Sequence, residues 1–133
     1  MDTIFSKIIK GEIPSYKIAE DERFYAFLDI NPLAEGHTLV VPKQQLDYIF
    51  DMEDMQIGDM FVFAKKVAHA IEKNISCEKI GMAVIGLEVP HAHIHLVPIN
   101  EVYDIDFKKD KLKLSSERFA EIARMISDSY QAE

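Results

Sequence analysis

With 133 residues, 48% of them hydrophobic and 29% charged, the chain has the makeup of an ordinary soluble globular protein and is long enough for one domain. A formal net charge of −8 argues against a nucleic-acid or anionic-membrane binder, since both need a basic footprint; a single nucleotide remains open to it. Cys77 is the lone cysteine, so no intramolecular disulfide is available, and without a signal segment or a membrane-length apolar run the expected location is the cytoplasm.

In chain order, Asp2 or Thr3 caps a short first helix whose apolar side is Ile4, Phe5, Ile8 and Ile9; Gly11 stops it. Strands are expected at Tyr16–Ala19 and Phe24–Leu28. In the second, Phe24, Ala26 and Leu28 take one face and Tyr25, Phe27 and Asp29 the other. A loop through Asn31-Pro32 and Glu35-Gly36 leads to a third strand, His37–Val41. A helical turn is expected within Gln44–Phe50. The long helix follows, capped by Asp51 or Asp54, burying Met60, Phe63, Ala64, Val67 and Ile71, and ending near Asn74. Ile80–Ile85 and His91–Val97 read as strands joined tightly through Gly86–Pro90, hence an antiparallel hairpin. The charged stretch to Lys113 reads as loop with a short extended piece. A last helix starts at Ser115 or Ser116 and turns Phe119, Ile122, Ala123 and Ile126 inward. The fold class is therefore α+β: a five-stranded antiparallel sheet with a short N-terminal helix, one long helix and a C-terminal helix.

The stretch with the most chemistry is His91-Ala92-His93-Ile94-His95-Leu96-Val97-Pro98. On a strand, a two-residue spacing puts all three imidazoles on one face and leaves Ala92, Ile94 and Leu96 for the core. Such a face suits zinc, with further ligands from His37, Asp29 or Glu88. It equally suits phosphate chemistry, because a neutral imidazole is a nucleophile near pH 7 and its neighbours can hold phosphate oxygens. The bland alternative is three solvated histidines without a task. His69, outside every motif, reads as an ordinary surface or packing residue, and the methionines as core fillers, some at a dimer surface.

The segment Gly86–Pro98 resembles the signature of the histidine triad (HIT) family. Thr3–Pro14 is similar to that family's opening helix, and Phe27–Pro32 with Gly36–Lys43 to its nucleotide-binding strand and loop. These motifs occupy 3–98 of a single HIT-like domain, 1–133, with 99–133 as a C-terminal extension and helix. The resemblance implies a nucleotide hydrolase or transferase acting at the α-phosphate of a purine nucleotide, usually a homodimer, with no cofactor. It implies His93 as the nucleophile that forms a nucleotidyl-imidazole, His95 on the phosphate and leaving group, and His91 and His37 as orienting residues. Asp29 would take the ribose hydroxyls. Ile4, Phe5, Ile8, Phe27 and Ile30 would form the base pocket, and backbone N–H groups around Gly86 and Glu88 would hold the α-phosphate. From the residues alone, Asp29 is a turn former before Asn31-Pro32 and Glu88 a solvated loop residue.

Two departures matter. Many members carry an Asn-x-Gly-x-x-Ala-Gly-Gln segment before the triad. Here Val84-Ile85-Gly86-Leu87 is shorter, with Leu87 where Gln is usual, so a phosphate-side amide is lost. Members with structural zinc have Cys-x-x-Cys in the first helix and a histidine after the third strand. Here those places hold Thr3, Ser6 and Gln45, so no metal is expected. The alternatives are a nucleotide-binding regulatory protein with little turnover, and a metal-dependent enzyme using the His91, His93 and His95 face.

Overall fold

The computed structural model describes residues 1–131. Its elements are α1 (Ile4–Ile9), β1 (Lys17–Glu20), β2 (Phe24–Leu28), β3 (Thr38–Pro42), α2 (Asp54–Glu72), β4 (Lys79–Ala83), β5 (Ile94–Ile99) and α3 (Ser116–Ser129), with 3-10 turns at Ile49–Asp51 and Val102–Ile105. All strand pairs are antiparallel, in the order β1-β2-β3-β5-β4, so the α+β expectation holds.

The alternation in β2 divides the protein into two hydrophobic layers. Phe24, Ala26 and Leu28 face the main core, where α2 contributes Met60, Phe63, Ala64, Val67 and Ile71, and α3 contributes Phe119, Ile122 and Ile126. Tyr25 and Phe27 face the opposite side with Leu39 and Val41, and there α1 adds Phe5 and Ile8. The second layer is thin because α1 is short. That leaves room for polar groups on the same side of the sheet.

Several boundaries differ from expectation for identifiable reasons. The cap of α2 is Glu53, without a side-chain hydrogen bond, rather than Asp51 or Asp54. The segment after β5 contains a 3-10 turn, Val102–Ile105, and no extended piece. Of the methionines expected as core fillers, some at a dimer surface, Met52 and Met60 are buried while Met1, Met55 and Met82 are exposed. Pro98 is tolerated inside β5 because it lies opposite Ile80 of β4, beyond the Thr38–Leu96 pair that ends the β3 ladder. No helix among the described residues is long and apolar enough to cross a membrane.

Candidate active site

The histidine segment enters its ladder only at Ile94, so His91 and His93 precede the strand expected to carry them. The backbone groups that a ladder would use are otherwise engaged. The Ala92 N–H donates to the Leu46 carbonyl at 2.6 Å, and the His91 carbonyl accepts from His93 Nδ1 at 2.7 Å. Pro42, at the end of β3, gives its carbonyl to His91 Nε2 at 2.8 Å. The alternation survives without the ladder: Ala92, Ile94 and Leu96 enter the main core while the three imidazoles stay on the α1 side.

The hydrogen bonds set each ring's tautomer. A carbonyl only accepts, so His93 carries its proton on Nδ1 and a neutral ring keeps the Nε2 lone pair. His91 donates from Nε2 to Pro42, so its Nδ1 accepts from the Thr3 hydroxyl at 2.8 Å. Burial holds the His91 pKa below the usual value, consistent with a neutral ring, and the side chain is fully enclosed. The Leu33 N–H donates to His37 Nδ1 at 3.0 Å, which leaves the His37 proton on Nε2. That proton points at His95 Nδ1, 3.0 Å away, so the His95 proton lies on Nε2. Burial, aided by His95 and Lys111, pushes His37 down to about 3; burial, aided by His93, pushes His95 down to about 4. Both rings are therefore neutral at pH 7.

Among the described residues no buried side-chain nitrogen or oxygen lacks a partner. Among the described residues Nε2 of His93 and Nε2 of His95 take no protein hydrogen bond, so within this cluster of histidines they are the nitrogens left to the open side. The rings are adjacent, 4.9 Å between centroids. A lone pair and an N–H thus stand side by side, which is the pairing an attacking nitrogen and a hydrogen-bond donor to a phosphoryl group require.

Asp29 is used twice. Its Oδ1 accepts the Asn31 N–H at 2.9 Å, the turn-forming role, and its Oδ2 lies 3.6 Å from His37 Nε2. Burial raises its pKa despite the Asn31 bond, with His93 and Lys111 acting to lower it and Glu88 to raise it. Phe5 meets edge-on both His93, at 5.0 Å, and His91, at 5.7 Å, and packs with Ile8 and Phe27 in the thin layer. Ile4 and Ile30 are 49% and 64% exposed, outside that layer. Gly86 takes φ +72, a conformation that favours glycine, and Glu88 is exposed.

Ligand atoms of Asp29, His37 and His95 lie within 4.8 Å of one another, a different set from the His91, His93 and His95 face. Coordination through His37 Nε2 would require its proton on Nδ1, against the Leu33 N–H, so the tautomer opposes a cation there. Thr3, Ser6 and Gln45 do come together. The Ser6 N–H donates to Thr3 Oγ1 at 3.0 Å and Ser6 Oγ to Gln45 Oε1 at 2.6 Å. These hydroxyls and this amide satisfy one another and offer no thiolate, so they do not fit a structural zinc ion.

A model of the HIT domain matches residues 10–102, well over half of the chain. The chain belongs to the HIT family. A HIT-like protein of Borreliella burgdorferi is 39% identical over 134 residues, covering 95% of this chain and 96% of that one. An adenosine 5′-monophosphoramidase of Schizosaccharomyces pombe is 34% identical over 129 residues, covering 96% and 97%. The crystal structure of a HIT-like protein involved in cell-cycle regulation from Bartonella henselae superposes with a TM-score of 0.83 at 29% identity, covering 96% of each chain.

Sequence reasoning had Thr3 as a helix cap and missed its bond to His91, which joins residues 88 positions apart. It also missed Phe107, whose ring meets His95 at 4.6 Å and His37 at 6.2 Å. Phe107 lies beyond the matched HIT domain, in a charged stretch with no motif to single it out.

Proposed function

We propose that this HIT protein hydrolyses a phosphoramidate or phosphoanhydride bond at the α-phosphate of a purine nucleotide. One observation carries the reading: opposite tautomers put the His93 Nε2 lone pair beside the His95 Nε2–H. His93 Nε2 attacks phosphorus, the bond to the leaving group breaks, and His95 Nε2–H hydrogen-bonds the departing atom. That atom takes up one proton, replenished from solvent. Water then attacks phosphorus, the bond to His93 breaks, and a proton returns to solvent. Asp29 Oδ2 holds the ribose diol, Phe5, Ile8, Phe27, Ile4 and Ile30 bracket the base, and N–H groups near Gly86 and Glu88 hold the phosphate. His91 and His37 orient their neighbours. The phosphoramidase from Schizosaccharomyces pombe supports this substrate class.

The homodimer belongs to the same reading. Phe61 and Val62 of α2 are exposed, as are Met82 on the edge strand β4 and Val84 and Ile85 just after it. A second copy would cover this face, and sedimentation at micromolar concentration tests it. The half-buried thiol of Cys77 accords with a reducing cytoplasm.

A second reading, nucleotide binding with little turnover, is favoured by Leu87. It is 88% exposed where many members carry an amide. Wild type and His93→Gly are incubated with adenosine 5′-phosphoramidate, with and without chelator, and weighed under denaturing conditions. Hydrolysis indifferent to chelator, with an adenylyl adduct on wild type alone, is expected. Equal hydrolysis by both proteins refutes the mechanism; binding without turnover supports the second reading.

A further inference from the structure

Phe107 belongs to neither hydrophobic layer, yet it is half-buried, and its aromatic neighbours are His95 and His37. The His95 contact is edge-on, with an interplanar angle of 66° and centroids 4.6 Å apart. The loop carrying it is fastened at several points. The Lys108 N–H donates to Asp106 Oδ1 at 2.9 Å, and the Lys109 N–H to the Asp106 carbonyl at 3.0 Å. Lys111 Nζ reaches back to the carbonyls of Phe107 and Lys109, at 2.6 and 2.9 Å. The Leu112 N–H donates to the Pro32 carbonyl at 2.8 Å. Pro32 precedes Leu33, whose N–H sets the His37 tautomer. One short loop thus bears on the His37–His95 pair through a ring and through the backbone turn behind it.

Resting on the hydrolase reading above, we propose that Phe107 is a positioning residue. Its ring holds the His95 imidazole so that Nδ1 stays on His37 and Nε2–H faces the leaving group. An imidazole in contact with His37 on one side and His93 on the other can still rotate about its side-chain bonds unless the space beside it is filled. Phe107 packs against the ring and takes up the space for that rotation, while Nε2 stays open to the leaving group. Without the ring, a hydrated His95 gains a proton on Nδ1, which then opposes the His37 Nε2–H and breaks the pair. The charged and titratable groups around His95 are His37, His93 and Asp29, with Lys111 acting on His37 and Asp29, and Glu88 on Asp29.

Full-length wild type, Phe107→Ala and Phe107→Leu are compared by nitrogen NMR of the imidazoles. Steady-state hydrolysis of adenosine 5′-phosphoramidate is followed alongside from about pH 5 to 8. Phe107→Ala is expected to move the His95 titration upward and to lower kcat by about 10- to 100-fold, the loss a displaced catalytic group causes. The loss deepens at the acid end, and KM stays within about threefold because the ring packs on His95 and His37 and not in the Phe5, Ile8 and Phe27 layer that brackets the base. Phe107→Leu restores most of both, and Lys111→Met gives a smaller shift in the direction of Phe107→Ala. A His95 titration in Phe107→Ala identical to wild type overturns the proposal, as does a loss shared by kcat and KM and constant with pH. An inert wild type, or a fully active His93→Ala, overturns the hydrolase reading instead; the NMR result still decides whether Phe107 governs His95.

Discussion

The two ends of the histidine row are built by opposite rules. At one end, His93 is anchored on a carbonyl, which can only accept, so its outward nitrogen is a lone pair. At the other, His37 is anchored on the Leu33 N–H, which can only donate. The tautomer is relayed through the His37–His95 bond, and the outward nitrogen of His95 is an N–H. Each end also has its own aromatic ring, Phe5 on His91 and His93 and Phe107 on His95 and His37. Identical side chains two residues apart thus acquire complementary roles from the backbone groups behind them.

The comparison is broken most severely by removing the lone pair. His93→Ala is expected to lower kcat by about four orders of magnitude or more, as losing a nucleophile does elsewhere, with nucleotide binding retained. Single-turnover kinetics together with equilibrium binding check both halves. At the other end, His95→Ala removes a donor rather than the attacking atom and should cost about 10²- to 10⁴-fold, with the nucleotidyl adduct still detectable on His93. A complete absence of adduct in His95→Ala would show that the two ends are not separable.

Acid should also divide them. Burial keeps His37 down to about 3 and His95 down to about 4, against an ordinary 6.5, so between those values the unfolded chain binds protons the folded chain does not. Stability from this pair is full above about pH 6.5 and falls with pH towards 4 and then 3, by up to about 1.4 kcal/mol per pH unit for each ring. Asp29, raised by burial, works in the opposite sense. Denaturant midpoints measured from about pH 7 to 4 should show this slope, reduced in His95→Ala. The smallest effect sits behind the first end. Thr3→Val removes both the helix cap and the His91 bond, about 1–2 kcal/mol by thermal melting, whereas Thr3→Ser stays near wild type.

What could be read from the chain beforehand follows periodicity. The alternation in Phe24–Leu28 and the stripe from Met60 to Ile71 correctly assigned the two faces of the sheet and the buried side of α2, because burial itself imposes those spacings. The alternation of His91, His93 and His95 was legible too; of the three, His95 is the one that meets His37 and Asp29. The start of β5 was not, since it depends on where single carbonyls and N–H groups of Leu46, Pro42 and His91 are engaged. Nor were the tautomers, which need the Leu33 N–H and the Thr3 hydroxyl in place. Phe107 carries no periodic signal, and only tertiary structure brings it to His95.

The rings that flank the row are far apart in the sequence, Phe5 in α1 and Phe107 past β5. During synthesis the sheet can assemble once β5 has emerged, yet the His37–His95 side stays wet until the loop ending at Leu112 docks on Pro32. A chain in which that loop has not docked leaves the His37–His95 pair hydrated, so completion of the site waits on a segment beyond β5.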